Sequence, residues 1–498
     1  MQTFDEHKNS SDTTCRLRHR LTTALLIIVA IAVGLSHNAC EKEDWHRSLD
    51  GIAFSCEEMD FDTVFVSSGS TTHQFKIYNR GHDDLRIDQI GLLRRMQGGH
   101  SCFRVNIDGD TAAVVRDIEI ASGDSCFVFV QATINPNGAG THFIETDTLV
   151  LRSAGDERRL PLRACGRNAV YHLPDHTLQL GDGSHPTDNF GNRYCYSIID
   201  CDNWRHDLPH VIVGYAVVDA QQTLQLSAGD ELYFYNDAVL WVYDSATLHV
   251  AGSTAQPVLF TSVRHDGWYD SLPGQWGYIW LSSGSHDNRI DHAVIENGTV
   301  GILADTNVGH NPTLTVSHSI IRCHSMAGII GQTAYIVGDD VLIHTCGTAT
   351  LAMQYGGRYE WDRTTLANYW AYGGRNNPSV IINNHLTYNG VDYLYPLPLV
   401  RFTDCIVYGS RQSGELLTDL DDRVESRVEI THSIVRGGDW DVDPQFVDPW
   451  HGNYRLQQES PAEGLGFYSF DESAKKGAIA HAQRHPLIKR QRKIYLIR

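Results

Sequence analysis

The segment "IDHAVIENGTVGI" (290–302) is echoed 26 residues later by "VSHSIIRCHSMAGI" (316–329), and the echo goes on. With Val294 as reference, equivalent residues recur at Ile320, Leu342, Thr365, Ile406 and Ile434, at intervals of 26, 22, 23, 41 and 28. One position later stand Ile295, Ile321, Ile343, Leu366, Val407 and Val435, all apolar. One position earlier stand Ala293, Ser319, Val341, Thr364, Cys405 and Ser433, all of small or modest size. Four positions earlier stand Ile290, Val316, Gly338, Trp361, Phe402 and Ile430, apolar but for the glycine. Parallel strands stacked about 4.8 Å apart place equivalent side chains against each other, so columns must agree in polarity. A period in the twenties built from short β-type segments predicts a solenoid whose coils bury their faces only by stacking.

The stretch 209–466 resembles right-handed parallel β-helix proteins. "LQLSAGDELYFYNDAVLWVYDSATLHVAGSTAQPVLFTS" is similar to the opening coils of that family and "PGQWGYIWL" to its turn into the main stack. "DPQFVDPWHGNYRLQQESPAEGLG" is similar to its closing coil. The resemblance implies the fold and leaves function open, since lyases, hydrolases, epimerases, adhesins and inert spikes share this scaffold. The 41-residue interval contains an insertion at 368–400, "NYWAYGGRNNPSVIINNHLTYNGVDYLYPLPLV". It is expected either to project as a binding loop or to pack as a flap over one face.

Upstream, residues 57–168 alternate polar and apolar in short runs such as "HQFKIYN", "CFVFVQAT" and "DTLVLRS", separated by Gly, Asp, Asn and Ser clusters. This predicts an antiparallel β-sandwich. The run "SSGSTTHQFKIYNRGHDDLRIDQI" with "IASGDSCFVFVQATINPNGAGTHFIETDTLVLRSAG" resembles Hydin-type immunoglobulin-like domains, which implies a binding or spacing module. The fold class is therefore all-β, a sandwich followed by a β-helix, with 169–208 as linker or cap.

At the N-terminus, basic "CRLRHR" precedes the apolar run 21–35 and then "SHNACEKED". About 20 apolar residues are needed to span a bilayer, so the run predicts an export signal. Cys40 resembles the lipidated cysteine of bacterial lipoproteins, although His37 stands where Leu is usual; an ordinary secretory signal is the alternative. "EKED" is similar to the acidic sorting signal of Bacteroides-group surface lipoproteins. The expected plan is a signal at 1–39, an acidic tether at 40–56 and a basic tail at 467–498. The expected location is the outer membrane, facing outward, with a periplasm-facing protein as the alternative. Nine cysteines remain after Cys15 and Cys40 are set aside, an odd number in a compartment that permits disulfides.

Lys and Arg total 40 against 60 for Asp and Glu, which argues against nucleic acid as a partner. The expected partners are a membrane, through the lipid anchor, and a polysaccharide or a host or bacterial surface glycan. Two places before the reference, His292, His318, Asp340, Arg363, Asp404 and His432 form a polar column. Three places before it are Asp291, Ser317, Asp339, Asp362, Thr403 and Thr431. A bend between these columns and the apolar one would release the first to solvent, either as a wet ladder or as a glycan groove with His292 and His318 among its contacts. Asp339, Asp340 and Asp362 are the candidate carboxylates for glycoside hydrolysis or for a calcium-assisted elimination, with Arg363 beside them. Calcium is the one cofactor this suggests, and no metal-ligand motif is identified.

"GDD" at 338–340 is similar to one fragment of pectin-cleaving β-helix hydrolases, but their companion Gly-His-Gly and Arg-Ile-Lys elements are absent. No lysine lies between Lys76 and Lys475, so a lyase would depend on Arg363, Arg358, Arg375 or a neutral His as base. Among the many aromatics of the solenoid, Tyr388, Tyr393 and Tyr395 of the insertion are the glycan-stacking candidates, whereas Trp276, Tyr278 and Trp280 are expected in the core or at coil closures.

Overall fold

The computed structural model describes residues 45–468 except 67–68, 136–141, 188–190, 265–268, 308 and 310. The signal, Cys40 and the basic tail beyond Tyr468 lie outside the described residues. Within them the columns read from the sequence are the observed registers. Val294 pairs with Ile320, Ile320 with Leu342, Leu342 with Thr365, Thr365 with Ile406 and Ile406 with Ile434. The series Ile290, Val316, Gly338, Trp361, Phe402 and Ile430 pairs in the same way. These strands belong to one 24-stranded sheet wound into a right-handed parallel β-helix.

Each coil has three sides. In one, Leu314–His324 supplies two sides, bending at His318, and Ala327–Gln332 supplies the third. The bend has a single backbone cause. His292, His318, Asp340, Arg363, Asp404 and His432 all have positive φ, between 42° and 54°. The left-handed region disfavours β-branched residues and is enriched in Asp, Asn and His, so this column is polar first because it is a corner. Inside the coils Val316, Ile321, Ile329, Ile343 and Leu366 are fully buried. Stacking of this kind offsets the ordering entropy of each coil only through its neighbours.

The reference column faces outward and is nevertheless buried. Val294, Ile320, Leu342, Ile406 and Ile434 pack with Phe446, Tyr454, Ala462 and Leu465. The segment expected to close the helix as a last coil instead forms an antiparallel hairpin, Phe446–Asp448 with Asn453–Leu456, laid along this side as a strap. It runs on through Gly466, whose N–H donates to the Asp404 carbonyl (2.8 Å), and Phe467, whose N–H donates to Thr365 Oγ1 (2.9 Å). The reason is the uncovered stripe, which a terminal coil would leave wet along its whole length.

The sandwich consists of a four-stranded and a five-stranded sheet around an apolar core. It begins earlier than expected: Leu49 is fully buried and Ile52–Phe54 is a strand, so part of the supposed tether belongs to the domain. The stretch 169–208 is not merely a linker either. Val170–His172 and Cys195–Ile198 pair in parallel with His210–Val218, giving the solenoid its first partial coil. Arg167 ties the two parts together, donating to Tyr233 Oη (2.9 Å) and pairing with Glu231 (2.6 Å). Among the described residues no disulfide joins the nine cysteines.

Burial also sets an acid limit. His324 is fully enclosed, its Nε2 3.2 Å from the Ile295 carbonyl, and desolvation pushes its pKa down to about 4. Folded His324 therefore stays neutral where the unfolded chain, with a pKa of about 6.5, takes up a proton. Its contribution is intact above about pH 6.5 and falls away towards pH 4, by up to about 3 kcal/mol. The thermal midpoint should drop across that window, and less so in His324→Gln. An equal drop in the variant would assign the acid loss to other groups.

Candidate functional site

Along the bent corner the structure does bring the predicted polar residues together. Arg363 forms ion pairs with both Asp339 and, at 3.2 Å, Asp362. Burial and the neighbouring carboxylates of Asp362 and Asp340 outweigh Arg363 and hold Asp339 above its usual pKa. Asp340 is fully buried and accepts a hydrogen bond from the Tyr468 N–H (2.9 Å), so the strap closes over it. Two of the three candidate carboxylates are thus bridged by an arginine and the third is sealed from substrate. A glycosidase pair needs a free acid and a free base flanking a sugar, which this arrangement does not present. The alternative bases fare no better. Arg375 is buried against Glu415, and Arg358 pairs with Glu360 while lying over the Tyr335 ring.

At the N-terminal end of the corner the arrangement differs. His318 Nδ1 lies 2.7 Å from Asp291 Oδ1, and His292 Nδ1 lies 3.0 Å from Asp291 Oδ2. The two imidazoles stack with centroids 4.7 Å apart. The Ser317 hydroxyl donates to Asp291 Oδ1 (2.8 Å). Burial opposes ionisation of Asp291, but hydrogen bonds from His318, Ser317 and His292 together carry its pKa below the usual value. Asp291 lay in a column that sequence reasoning wrote out but did not choose, because its role needs a partner from the next coil. Calcium, which takes six to eight oxygen ligands, does not suit a donor set with two imidazoles.

The insertion divides in two. Its first part packs: Tyr369 lies against Trp450 and Tyr454 of the strap, and the Tyr372 hydroxyl donates to the Ser271 carbonyl. Its strand Val380–Asn383 is an ordinary side of the coil, paired with Leu351–Met353 and Leu416–Asp419. Its second part, His385–Tyr388 with Val391–Leu394, is a projecting antiparallel hairpin. The register sets Leu386 opposite Tyr393 and Tyr388 opposite Val391, so these four share one face. Tyr388, Val391 and Tyr393 are 62%, 51% and 45% exposed, a large share for apolar side chains on a two-stranded ribbon. Arg423 holds the hairpin to a later coil through Asp392 (3.0 Å). Tyr395 sits apart, at the hairpin base near Tyr355.

One aromatic surface went unrecognised in the sequence. Trp276 is inside, stacked on Phe234 at 4.1 Å, as expected of a core residue. Trp280 points outward and stacks on Trp241 at 4.7 Å, with its Nε1–H donating to Asp305 (2.7 Å). The alternation in "LWVY" and "YIWL" carried that signal.

No protein-family model matches the chain, and no curated protein matches it. Among solved structures, the catalytic unit of the thermostable GH87 alpha-1,3-glucanase from Streptomyces thermodiastaticus strain HF3-3 is 13% identical, covering 72% of this chain and 74% of that one, with a TM-score of 0.28. The Agl-KA catalytic domain is 10% identical, covering 78% and 84%, with a TM-score of 0.24. The ASH/PapD-like domain of human CEP192 (PapD-like domain 7) is 12% identical, covering 24% and 84%, with a TM-score of 0.15. Likenesses of this size say nothing about activity.

Proposed function

We propose that the chain is a glycan-binding protein of the cell envelope, anchored by lipid at Cys40, that contacts carbohydrate through the exposed face of the 385–394 hairpin. The observation carrying this reading is that face itself: Tyr388 and Tyr393 stand clear of the solenoid on a ribbon tied down by Arg423, flanked by Leu386 and Val391. Flat rings with a hydroxyl at the edge suit the alternating apolar and polar faces of a pyranose. The Asp339–Asp340–Asp362–Arg363 corner supports a structural role, because its charges are paired or enclosed.

The test is a glycan array followed by titration of the best ligand. Tyr388→Ala and Tyr393→Ala should each weaken binding by about tenfold, roughly 1.4 kcal/mol, with unchanged thermal unfolding. Reducing-end and unsaturated-product assays, with and without calcium, should show no turnover. Turnover abolished by Asp340→Asn would replace this reading with an enzyme. An absence of both binding and turnover across a broad panel would favour a structural spike. Cys40→Ser should release the protein from membranes, and unchanged fractionation would remove the anchor.

A further inference from the structure

We propose that Asp291, His292 and His318 together bind one divalent transition-metal ion, zinc by ligand preference, clipping two consecutive coils at their corner. The ligands come from different coils. Asp291 and His292 are neighbours in one, and His318 occupies the position of His292 in the next, 26 residues later. Positive φ at both histidines, 52° and 45°, turns the two imidazoles to the same side of the corner. One donor atom from each of the three residues lies within 4.8 Å of the others. A tetrahedral zinc with bonds of about 2.0–2.1 Å holds its ligand atoms about 3.3 Å apart. The Asp291–histidine contacts, 2.7 Å to Oδ1 and 3.0 Å to Oδ2, are shorter than that, so the carboxylate and both imidazoles lie within reach of one ion.

The surroundings fit a metal better than a plain hydrogen-bonded triad requires. Ser317 steadies the carboxylate by donating to Asp291 Oδ1, the kind of outer contact that orients metal-binding carboxylates. The side chains of His292, His318 and Asp291 are 19%, 37% and 43% exposed, leaving one side open for entry and for a water as fourth ligand. The nearest arginine along the corner, Arg363, is already paired with Asp339 and Asp362. Two imidazoles and one carboxylate favour zinc, copper or nickel over calcium or magnesium.

The experiment uses the full chain, stripped with a chelator, and titrates zinc against a chromophoric competitor at about pH 7.5. A single tight equivalent is expected, and cobalt in its place should give visible absorption bands of a low-coordinate nitrogen–oxygen site. His318→Asn and His292→Asn are the chosen variants because Asn tolerates positive φ, so the corner keeps its shape. Each should weaken zinc by at least about tenfold, while His432→Asn, at the same corner farther along, should leave it unchanged. Zinc should also raise the thermal midpoint of the parent and not of His318→Asn. Undiminished zinc binding in a normally folded His318→Asn protein would overturn the proposal. So would the absence of a stoichiometric site in the parent. Neither result depends on carbohydrate binding at the hairpin.

Discussion

Replacing Arg375 with Met is expected to cost about 3–5 kcal/mol, because it leaves a carboxylate inside the protein without its counter-ion. The Arg375 and Glu415 side chains are 4% and 0% exposed and meet at 2.5 Å. Glu415 also accepts hydrogen bonds from the Ser379 N–H (2.8 Å), the Ser379 hydroxyl (2.7 Å) and the Arg411 N–H (2.9 Å). Those donors keep the carboxylate in place after the arginine is gone, and its desolvation is then uncompensated. Adding Glu415→Gln to Arg375→Met should restore part of the loss, since the amide retains an acceptor without the charge. Equal denaturant midpoints for parent and Arg375→Met would mean that this ion pair holds nothing together.

Trp361→Ala should be comparably severe, at about 3–5 kcal/mol for an enclosed indole. Trp361 is 1% exposed and lies over Gly338 of the preceding coil, so close that a Cβ on that glycine would sit 2.1 Å from the ring. Gly338→Val should therefore be destabilising on its own through overpacking. The double variant should be less damaged than the two losses added together, because the valine occupies volume the indole vacates. Strict additivity in thermal unfolding would show that the two residues do not share that space.

That contact also explains how far the sequence could be read. The fold was legible because parallel stacking forces like onto like, and five successive registers agree with the columns pair by pair. Gly338, the one misfit in its column, is small because its neighbour is the largest side chain available. The site was less legible. The Asp and His letters of the polar column are dictated by a left-handed backbone at the corner, a demand that mimics the composition of an active site. Whether Asp340 is open depends on Tyr468, 128 residues away, and no local pattern announces such a lid. The 41-residue interval hid an ordinary strand, Val380–Asn383, between a packed loop and a hairpin, so one long insertion was read where there are two short ones.

The strap carries a consequence for how the molecule is made. Coils can stack as they emerge, since each needs only its predecessor. Val294, Ile320, Leu342, Ile406 and Ile434, however, wait for Phe446, Tyr454, Ala462 and Leu465, which are synthesised after them. A nascent or clipped chain ending near 440 would hold a nearly finished solenoid with a continuous greasy seam down one side, the kind of surface that recruits other chains. Premature termination here would thus yield sticky, well-ordered rods rather than unfolded fragments, and quality control would have to recognise them by that seam.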